Sequence, residues 1–389
     1  MKNQTVNLVL VFVTLYLGLG AFFPFNSLYL QDYLHYSGTQ IGLFYALAAL
    51  LAVISVPVFG IIADKLQSPK IVYFLCALAT IVFLIPYSFL KPFFIVTTLY
   101  ILINAIRSAL VPLIDTIALD YSYQTNSNYG ILRSIASLSF IVSSVLVGLL
   151  LDRFSEFGAL FIYIHLIMIF LTAIFILRQK NIYKENSSSL NFRADVNALI
   201  KNKKFILIIL IMGLSYGIIQ VSQAYIALSI TAIGGQADDI GISFFFMVVP
   251  EVIFFSFILK FTKKINHIYL MLVGALALLL RWIVLLLTNS MLPLFIVSTG
   301  HGLVMAFIII VGFDLIKRVV NPNLLASAMS LYTALANVSY AIISFGAGVL
   351  MNDGQVKNTY FLYIFTTIIL IAGIIIYIEI YLRRSDNGQ

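Results

Sequence analysis

The stretch ALALLLRWIVLLLTN, residues 275–289, holds one charged side chain, Arg281, in a run otherwise apolar enough for the middle of a bilayer. Apolar runs of about 20 residues, the length with which an α-helix crosses about 30 Å of hydrocarbon, recur along the chain. Charged residues make up only 10% of the chain, against about 25% in a soluble domain. The sequence therefore predicts an all-α polytopic membrane protein.

The apolar runs predict twelve transmembrane helices in two six-helix bundles. The predicted spans, in chain order, are 7–30, 40–63, 70–90, 93–121, 130–151, 157–178, 204–232, 239–260, 266–288, 291–318, 324–350 and 359–382. A polar stretch rich in Ser, Asn and Lys separates the sixth span from the seventh. We therefore expect an N-terminal bundle over 1–178, a cytoplasmic central loop over 179–203 and a C-terminal bundle over 204–389.

The distribution of Lys and Arg predicts the orientation in the membrane. Most of the 23 basic residues fall on one side of the predicted spans, and the loops of the other side hold only Lys91, Arg153 and Lys357. Because cytoplasmic loops carry the excess of basic residues, both termini are expected in the cytoplasm of a multi-pass cell membrane protein. The single cysteine, Cys76, excludes a disulfide framework, and nothing beyond the net charge of +8 favours nucleic-acid binding.

Three of the charged residues within the predicted spans of the first half form a candidate functional group. Such charges cost at least about 2.5 to 3.5 kcal/mol and normally face a bundle interior or a water-filled pathway. Arg107 and Asp115 share the fourth span, about 12 Å apart along the helix axis, too far for a direct pair. Arg133 opens the fifth span at about the level of Asp115. We therefore expect Arg133 to meet Asp115, where an arginine fork binds a carboxylate.

The second half carries a similar group. Glu251 lies in the eighth span and is the nearest candidate counter-charge for Arg281 in the ninth, while His301 lies in the tenth and titrates near neutral pH. Asp314, near the cytoplasmic end of the tenth span, is expected to form a structural or gating salt bridge with Lys317 or Arg318. An alternative stays open, namely that these groups only stabilise helix packing.

Uncharged polar side chains within the spans are a weaker indication of a substrate site than the charged ones. They could line a cavity that binds a hydroxylated ligand through hydrogen bonds and ring stacking. Each of them could equally be an interhelical packing contact. The candidates for substrate binding, besides Asp115, Arg133 and Arg107, are Asn26, Tyr29, Asn104, Gln220 and Gln223.

Over nearly its whole length the chain resembles the major facilitator superfamily. The resemblance rests on six plus six spans, a basic central loop and the stretch GIIADKLQSPK, residues 60–70. Gly60, Asp64 and Lys65 match the loop pattern of the superfamily, whereas Gln67 stands in place of its next glycine. The resemblance implies that Gly60, Asp64 and Lys65 belong to a gate that holds the inner side closed.

The stretch SNYGILRSIASLSFIVSSVLVGLLLD, residues 127–152, resembles the fifth-span signature of the branch that contains lactose permease and the nucleoside and phenylpropionate proton symporters. PEVIFF, LLLRW and GHG, which contain Glu251, Arg281 and His301, are similar to the coupling residues of its later spans. The resemblance implies that Asp115 and Arg133 hold substrate hydroxyls. It implies that Glu251 links substrate to proton and that His301 and Arg281 tune proton affinity.

These features predict a secondary active transporter that imports a small hydroxylated solute, a sugar, oligosaccharide or nucleoside, with a proton by alternating access. The expected partners are the solute, H+ and the lipid bilayer. The protein is expected to be a monomer and to need no metal or cofactor besides the proton gradient. One departure is Val304, where lactose permease has a glutamate one turn after the histidine. The alternatives are a proton-coupled efflux pump for lipophilic compounds and a non-transporting receptor or scaffold. The chain carries no enzyme motif.

Overall fold

The computed structural model describes residues 2–125, 129–154, 158–179, 192–261, 264–321, 324–351 and 355–382. The regular elements of these ranges are helices. The α-helices are α1 Lys2–Phe22, α2 Asn26–Leu28, α3 Gly38–Lys65, α4 Pro69–Tyr87, α5 Phe93–Arg107, α6 Leu110–Thr125, α7 Tyr129–Arg153, α8 Leu160–Leu177, α9 Phe192–Lys201, α10 Lys203–Ala224, α11 Ile226–Thr231, α12 Ala237–Phe261, α13 His267–Leu287, α14 Met291–Ser298, α15 Gly300–Val304, α16 Val311–Val319, α17 Leu325–Leu350 and α18 Asn358–Tyr377. Turns of π-helix follow α2, α15 and α18, at Tyr29–Tyr33, Met305–Ile310 and Ile378–Leu382.

The helices confirm the predicted fold class. Within the described ranges, eleven helical segments are long and apolar enough to cross a membrane. The 25-residue helix α12 corresponds to the eighth predicted span. The predicted outer ends of the spans lie within about one and a half helical turns of the observed ends. Part of the predicted central loop, 180–191, lies outside the described residues.

Four of the spans are interrupted, namely the first, fourth, seventh and tenth. The first breaks at residues 23–25, where Pro24 lacks the N–H of a regular helix. The fourth and tenth break where Ser108 and Thr299 donate to carbonyl oxygens three residues earlier, at 2.8 Å and 2.6 Å. Such side-chain bonds compete with the helix ladder and bend it. Membrane proteins tolerate broken helices where protein or a water-filled cavity satisfies the released backbone groups.

The chain forms two compact units. The first comprises Met1–Ser187 with Ile226–Phe245, and the second comprises Ser188–Tyr225 with Phe246–Gln389. The predicted bundle boundaries, 1–178 and 204–389, stay a prediction.

In the first unit, α1 packs against α7 and α8 and buries an apolar face. Leu8, Phe12 and Leu15 recur at helical spacing and are fully buried. Gly20 permits the close approach of α1 and α7, because a Cβ at this position would lie 2.3 Å from the carbonyl oxygen of Phe140. Helix α1 is therefore held at the centre of this unit, where its Tyr16 can reach residues of the neighbouring spans.

In the second unit, α10 packs against α17 through small residues. A Cβ at Gly217 would lie 2.8 Å from the carbonyl carbon of Ser339, and one at Gly213 would lie 3.0 Å from the side chain of Leu335. Glycines four residues apart on one helix face let two helix backbones approach closely in a membrane, where packing replaces the hydrophobic effect as the driving force. This contact fixes the helix that carries Gln220 and Gln223.

Candidate transport site

Asp115 and Arg133 come together in the first unit, as the sequence predicts. The Arg133 Nη1 atom lies 3.7 Å from Asp115 Oδ2, between α7 and α6. The side chains are 44% and 26% exposed, so the pair is accessible from outside the protein core. An arginine fork beside a carboxylate offers both donors and acceptors, which suits a ligand with several hydroxyl groups.

Two tyrosines complete this group. Arg133 Nη1 donates a hydrogen bond to the hydroxyl of Tyr16, and its guanidinium carbon lies 5.5 Å from the centre of the Tyr16 ring. The Tyr129 side chain lies close enough to Asp115 to act on it electrostatically. Tyr129 belongs to the stretch that carries the resemblance, but sequence reasoning missed Tyr16, because an aromatic residue in an apolar first span gives no signal of a polar contact.

Arg107 lies in a different cluster from Asp115. The Arg107 side chain is buried and its Nη2 donates to Asn104 Oδ1 at 3.3 Å. Its guanidinium carbon lies 4.2 Å from the ring centre of Phe23 and 5.1 Å from that of Phe22, so cation–π contact supports the charge. Asn104 also donates to the carbonyl oxygen of Ala48 at 3.1 Å. The geometry of Arg107 and Asn104 suits a packing contact within the bundle.

Asn26 and Tyr29 also lie among buried aromatic side chains. Asn26 donates to the hydroxyl of Tyr45 at 3.0 Å and accepts from that of Tyr87 at 2.7 Å. The ring of Tyr29 stacks on Tyr33 with centres 5.1 Å apart. Both polar groups of the Asn26 amide are thus hydrogen-bonded within the protein. The pair of Asp115 and Arg133 is more exposed than Asn26 and therefore more accessible to a ligand.

In the second unit, His301 connects two predicted functional residues. Its Nε2 atom lies 2.9 Å from Gln223 Nε2 and 3.8 Å from Glu251 Oε2. The imidazole is almost fully buried, whereas the Glu251 side chain is 24% exposed. A carboxylate that can exchange protons with water therefore faces the same ring nitrogen as an amide that can hydrogen-bond a solute. Gln220 instead donates to the hydroxyl of Tyr216 at 3.1 Å.

The backbone of Gly302 sets the distance between Glu251 and His301. A Cβ at position 302 would lie 2.2 Å from the backbone nitrogen of Glu251 and 2.7 Å from the carbonyl carbon of Pro250. Helices α12 and α15 are therefore in backbone contact at this level. By contrast, a Cβ at Gly300 would meet nothing within 4 Å.

Arg281, for which Glu251 is the nearest candidate counter-charge in the sequence, forms no hydrogen bond among the described residues. The guanidinium is buried, and none of its three nitrogens has a hydrogen-bond partner among the described residues. Its carbon lies 4.9 Å from the ring centre of Trp282. The Glu251 carboxylate lies 3.8 Å from His301 Nε2, because the close contact of α12 with α15 brings these two side chains together.

Asp314 forms a salt bridge near the end of the tenth span. Arg318 Nη2 lies 3.1 Å from Asp314 Oδ2, one helical turn away on α16. The same oxygen lies 2.6 Å from His267 Nε2 at the start of α13. The sequence predicts a salt bridge with Lys317 or Arg318, and the observed partner is Arg318. It does not predict the contact with His267, because α13 and α16 are brought together only by the fold.

The predicted gate residues Gly60, Asp64 and Lys65 lie in the last turns of α3 and are less closely packed than Gly302. A Cβ at Gly60 would meet nothing within 4 Å, and the side chains of Asp64 and Lys65 are exposed. Gln67 adopts a φ of 49°, in the left-handed region that favours glycine. Lys70 donates to the carbonyl oxygen of Gln179 at 2.6 Å. The roles of Gly60, Asp64 and Lys65 in gating stay a prediction.

The described part of the chain contains no group of three or more His, Cys, Asp or Glu side chains placed to hold a metal ion.

Comparison with known proteins identifies the class. The family model of the MFS_1 like family matches residues 5–338, and the chain belongs to this family of the major facilitator superfamily. It is 24% identical over 375 residues to an uncharacterized transporter, YwbF, of Bacillus subtilis (strain 168), covering 96% of this chain and 92% of that protein. It is 25% identical over 381 residues to a maltose permease of Geobacillus stearothermophilus, covering 98% of this chain and 95% of that protein.

Solved structures show the same fold. The nucleoside transporter NupG superposes with a TM-score of 0.84 at 18% identity, covering 97% of this chain and 99% of that one. A POT family transporter in complex with 5-aminolevulinic acid superposes with a TM-score of 0.75 at 15% identity, covering 97% and 96%. The chain is therefore a multi-pass membrane protein and a secondary transporter, not an enzyme.

Proposed function

We propose that the protein imports a small hydroxylated solute, a sugar, oligosaccharide or nucleoside, together with a proton by alternating access. The observation that carries the proposal is the set of contacts from Gln223 through His301 to Glu251. A solute hydroxyl that replaces the Gln223 amide at the imidazole changes the hydrogen bonding of His301. That change reaches Glu251 across 3.8 Å, so solute binding alters proton binding and, by linkage, the proton alters solute binding by the same factor.

Asp115 and Arg133 supply the solute contacts of the first unit in this proposal. They form a partly exposed charged pair, Tyr16 accepts a hydrogen bond from Arg133, and Tyr129 lies near Asp115. The name of one relative, a maltose permease, favours a sugar among the hydroxylated solutes. Arg281 acts on the imidazole of His301 electrostatically and belongs to the coupling group.

The test is the external pH of a lightly buffered suspension of de-energised cells that express the protein, while sugars, oligosaccharides and nucleosides are added one at a time. The proposal expects alkalinisation with one ligand and its loss in Glu251→Gln. Asp238→Asn, which removes a carboxylate from the same helix far from His301, is the matched control and should keep the signal. Accumulation that persists in Glu251→Gln would refute the proton role, and silence across the panel would favour efflux.

We further propose that the protein is a monomer of the cell membrane, with both termini in the cytoplasm and no cofactor besides the proton gradient. The placement of Lys and Arg supports the orientation. Cys76 is the only cysteine and is buried, so a cysteine introduced at Lys357 or Lys203 can be labelled selectively. A membrane-impermeant maleimide on intact cells should label Lys357→Cys but not Lys203→Cys, and the reverse pattern would invert the orientation.

A further inference from the structure

Arg281 is the most deeply buried cation of the second unit that lacks a hydrogen bond among the described residues. The residue is 2% exposed, and its Nε, Nη1 and Nη2 atoms have no hydrogen-bond partner in the described chain. An arginine keeps its charge at any physiological pH, so it cannot become neutral to relieve its burial. A buried charge requires a partner that supplies both hydrogen-bond acceptors and opposite charge.

The surroundings of Arg281 add donors to the site. The indole nitrogen of Trp282 and the Nδ1 atom of His301 are also buried without a hydrogen-bond partner among the described residues. The Trp282 ring lies 4.9 Å from the guanidinium carbon and 5.0 Å from the ring of Tyr363, so aromatic faces border the group. The electrostatic neighbours that act on the Arg281 guanidinium are the phenols of Tyr360 and Tyr363. A guanidinium, an indole N–H and phenols together favour an anion over a cation or an apolar group.

We propose that Arg281 and Trp282 form an anion-binding site, which takes one singly charged group, either the carboxylate of a solute or a free halide. The planar fork of the guanidinium matches a carboxylate in a bidentate geometry, and the indole N–H supplies a further donor. The observations behind this site, the buried unpartnered nitrogens of Arg281 and Trp282, differ from the contacts from Gln223 through His301 to Glu251 that carry the proposed function. An anion bound here would neutralise the positive charge that acts on His301, and would thereby connect anion binding with the coupling group.

Trp282 is the only tryptophan of the chain and reports directly on this site. The full chain in lipid nanodiscs is titrated with sodium iodide at constant ionic strength, with sodium sulfate as the balance, and tryptophan fluorescence is recorded. The indole of Trp282 is 1% exposed, so free iodide in solution quenches it only weakly by collision. Iodide that binds beside Trp282 quenches it until the site is full, and the quenching then saturates with iodide concentration. Relief of the quenching by chloride identifies a halide site, and relief by acetate identifies a carboxylate site.

Arg281→Gln removes the charge and should weaken iodide binding at least about 10-fold, the loss of one hydrogen bond to a charged group. Arg281→Lys keeps the charge but not the fork, and should weaken the effect of acetate more than that of chloride. Arg153→Gln, which removes an exposed arginine at the end of α7, should leave the titration unchanged. Quenching of the unmodified chain that rises linearly with iodide, or that is the same in Arg281→Gln, would overturn the proposal and leave Arg281 hydrated by water only.

Discussion

Replacement of Gly302 by alanine tests the contact that places Glu251 beside His301. The added Cβ would lie 2.2 Å from the backbone nitrogen of Glu251 and 2.5 Å from its Cα, whereas ordinary van der Waals contact begins at 3.4 Å. Neither atom belongs to a flexible side chain, so the backbones of α12 and α15 must separate by about 1 Å. Gly302→Ala therefore lengthens the distance from His301 to Glu251 without changing either side chain.

Two energies of opposite sign decide the effect on stability. Overpacking of a close contact costs about 1 to 3 kcal/mol, while alanine in place of glycine within a helix gains about 0.8 to 1 kcal/mol. At position 302 the first effect outweighs the second, so we expect a net loss of stability. At position 300 only the gain applies, because a Cβ there meets nothing within 4 Å. Gly300→Ala is thus a matched control on the same short helix.

Stability can be measured through Cys76, because this single buried thiol reacts with a maleimide dye only when the protein opens. We expect dye labelling at a lower temperature in Gly302→Ala and at an unchanged or slightly higher temperature in Gly300→Ala. Function is measured as proton-driven accumulation of the solute that gives alkalinisation. A displacement of about 1 Å should lower the rate on the order of 10-fold or more in Gly302→Ala.

The pair of variants makes the reasoning refutable. Equal labelling temperatures for Gly302→Ala and Gly300→Ala would show that α12 and α15 are not in backbone contact at this level. Normal accumulation in a stably folded Gly302→Ala protein would show that the spacing of Glu251 and His301 does not limit coupling. Loss of both properties in Gly300→Ala would also contradict the argument, since nothing lies near that position.

Three further changes have expected outcomes. Gln67→Gly should raise the temperature of Cys76 labelling, because it relieves about 1 to 2 kcal/mol of left-handed backbone strain at a φ of 49°; an unchanged temperature would mean that the loop stores no strain. Arg133→Lys should weaken solute binding about 10-fold in counterflow assays, because lysine lacks the planar fork; equal binding would exclude a bidentate contact. His267→Gln should destabilise the protein less than Asp314→Asn does, because the latter weakens the contacts at both 2.6 Å and 3.1 Å; the reverse order would show that His267 is the more important partner.

The number and limits of the spans could be predicted because each depends on a local property, the length of an apolar run. The breaks in four spans could not be predicted in the same way. Pro24 signals the first break, but Ser108 and Thr299 resemble many other hydroxyl residues within the spans. Ser144 and Ser243 donate to carbonyl oxygens three residues earlier in the same way inside unbroken helices. Whether such a residue bends a helix depends on what the neighbouring helices supply to the released carbonyl.

The candidate site was predicted in part. Asp115 and Arg133 were predicted to meet, because a short connection between two antiparallel helices places them at one level, and they lie 3.7 Å apart. The contact of His301 with Glu251 was not predicted, since it depends on the backbone approach at Gly302. Gln223 was predicted as a candidate for substrate binding, but not as a neighbour of His301. Contacts between helices distant in sequence depend on packing, which a single sequence does not reveal.

Arg107 and Arg281 look alike in the sequence, as single arginines within apolar runs, and differ in the structure. Arg107 ends α5, where the helix dipole favours a positive charge, and it contacts Asn104 and two phenylalanine rings. Arg281 lies within α13, where the carbonyls are engaged in the helix, and its nitrogens lack hydrogen-bond partners in the described chain. It follows that Arg107→Gln should lower stability without altering the iodide response of Trp282, whereas Arg281→Gln should weaken iodide binding at least about 10-fold. The same substitution at two buried arginines thus separates a cation that supports packing from one that binds a ligand.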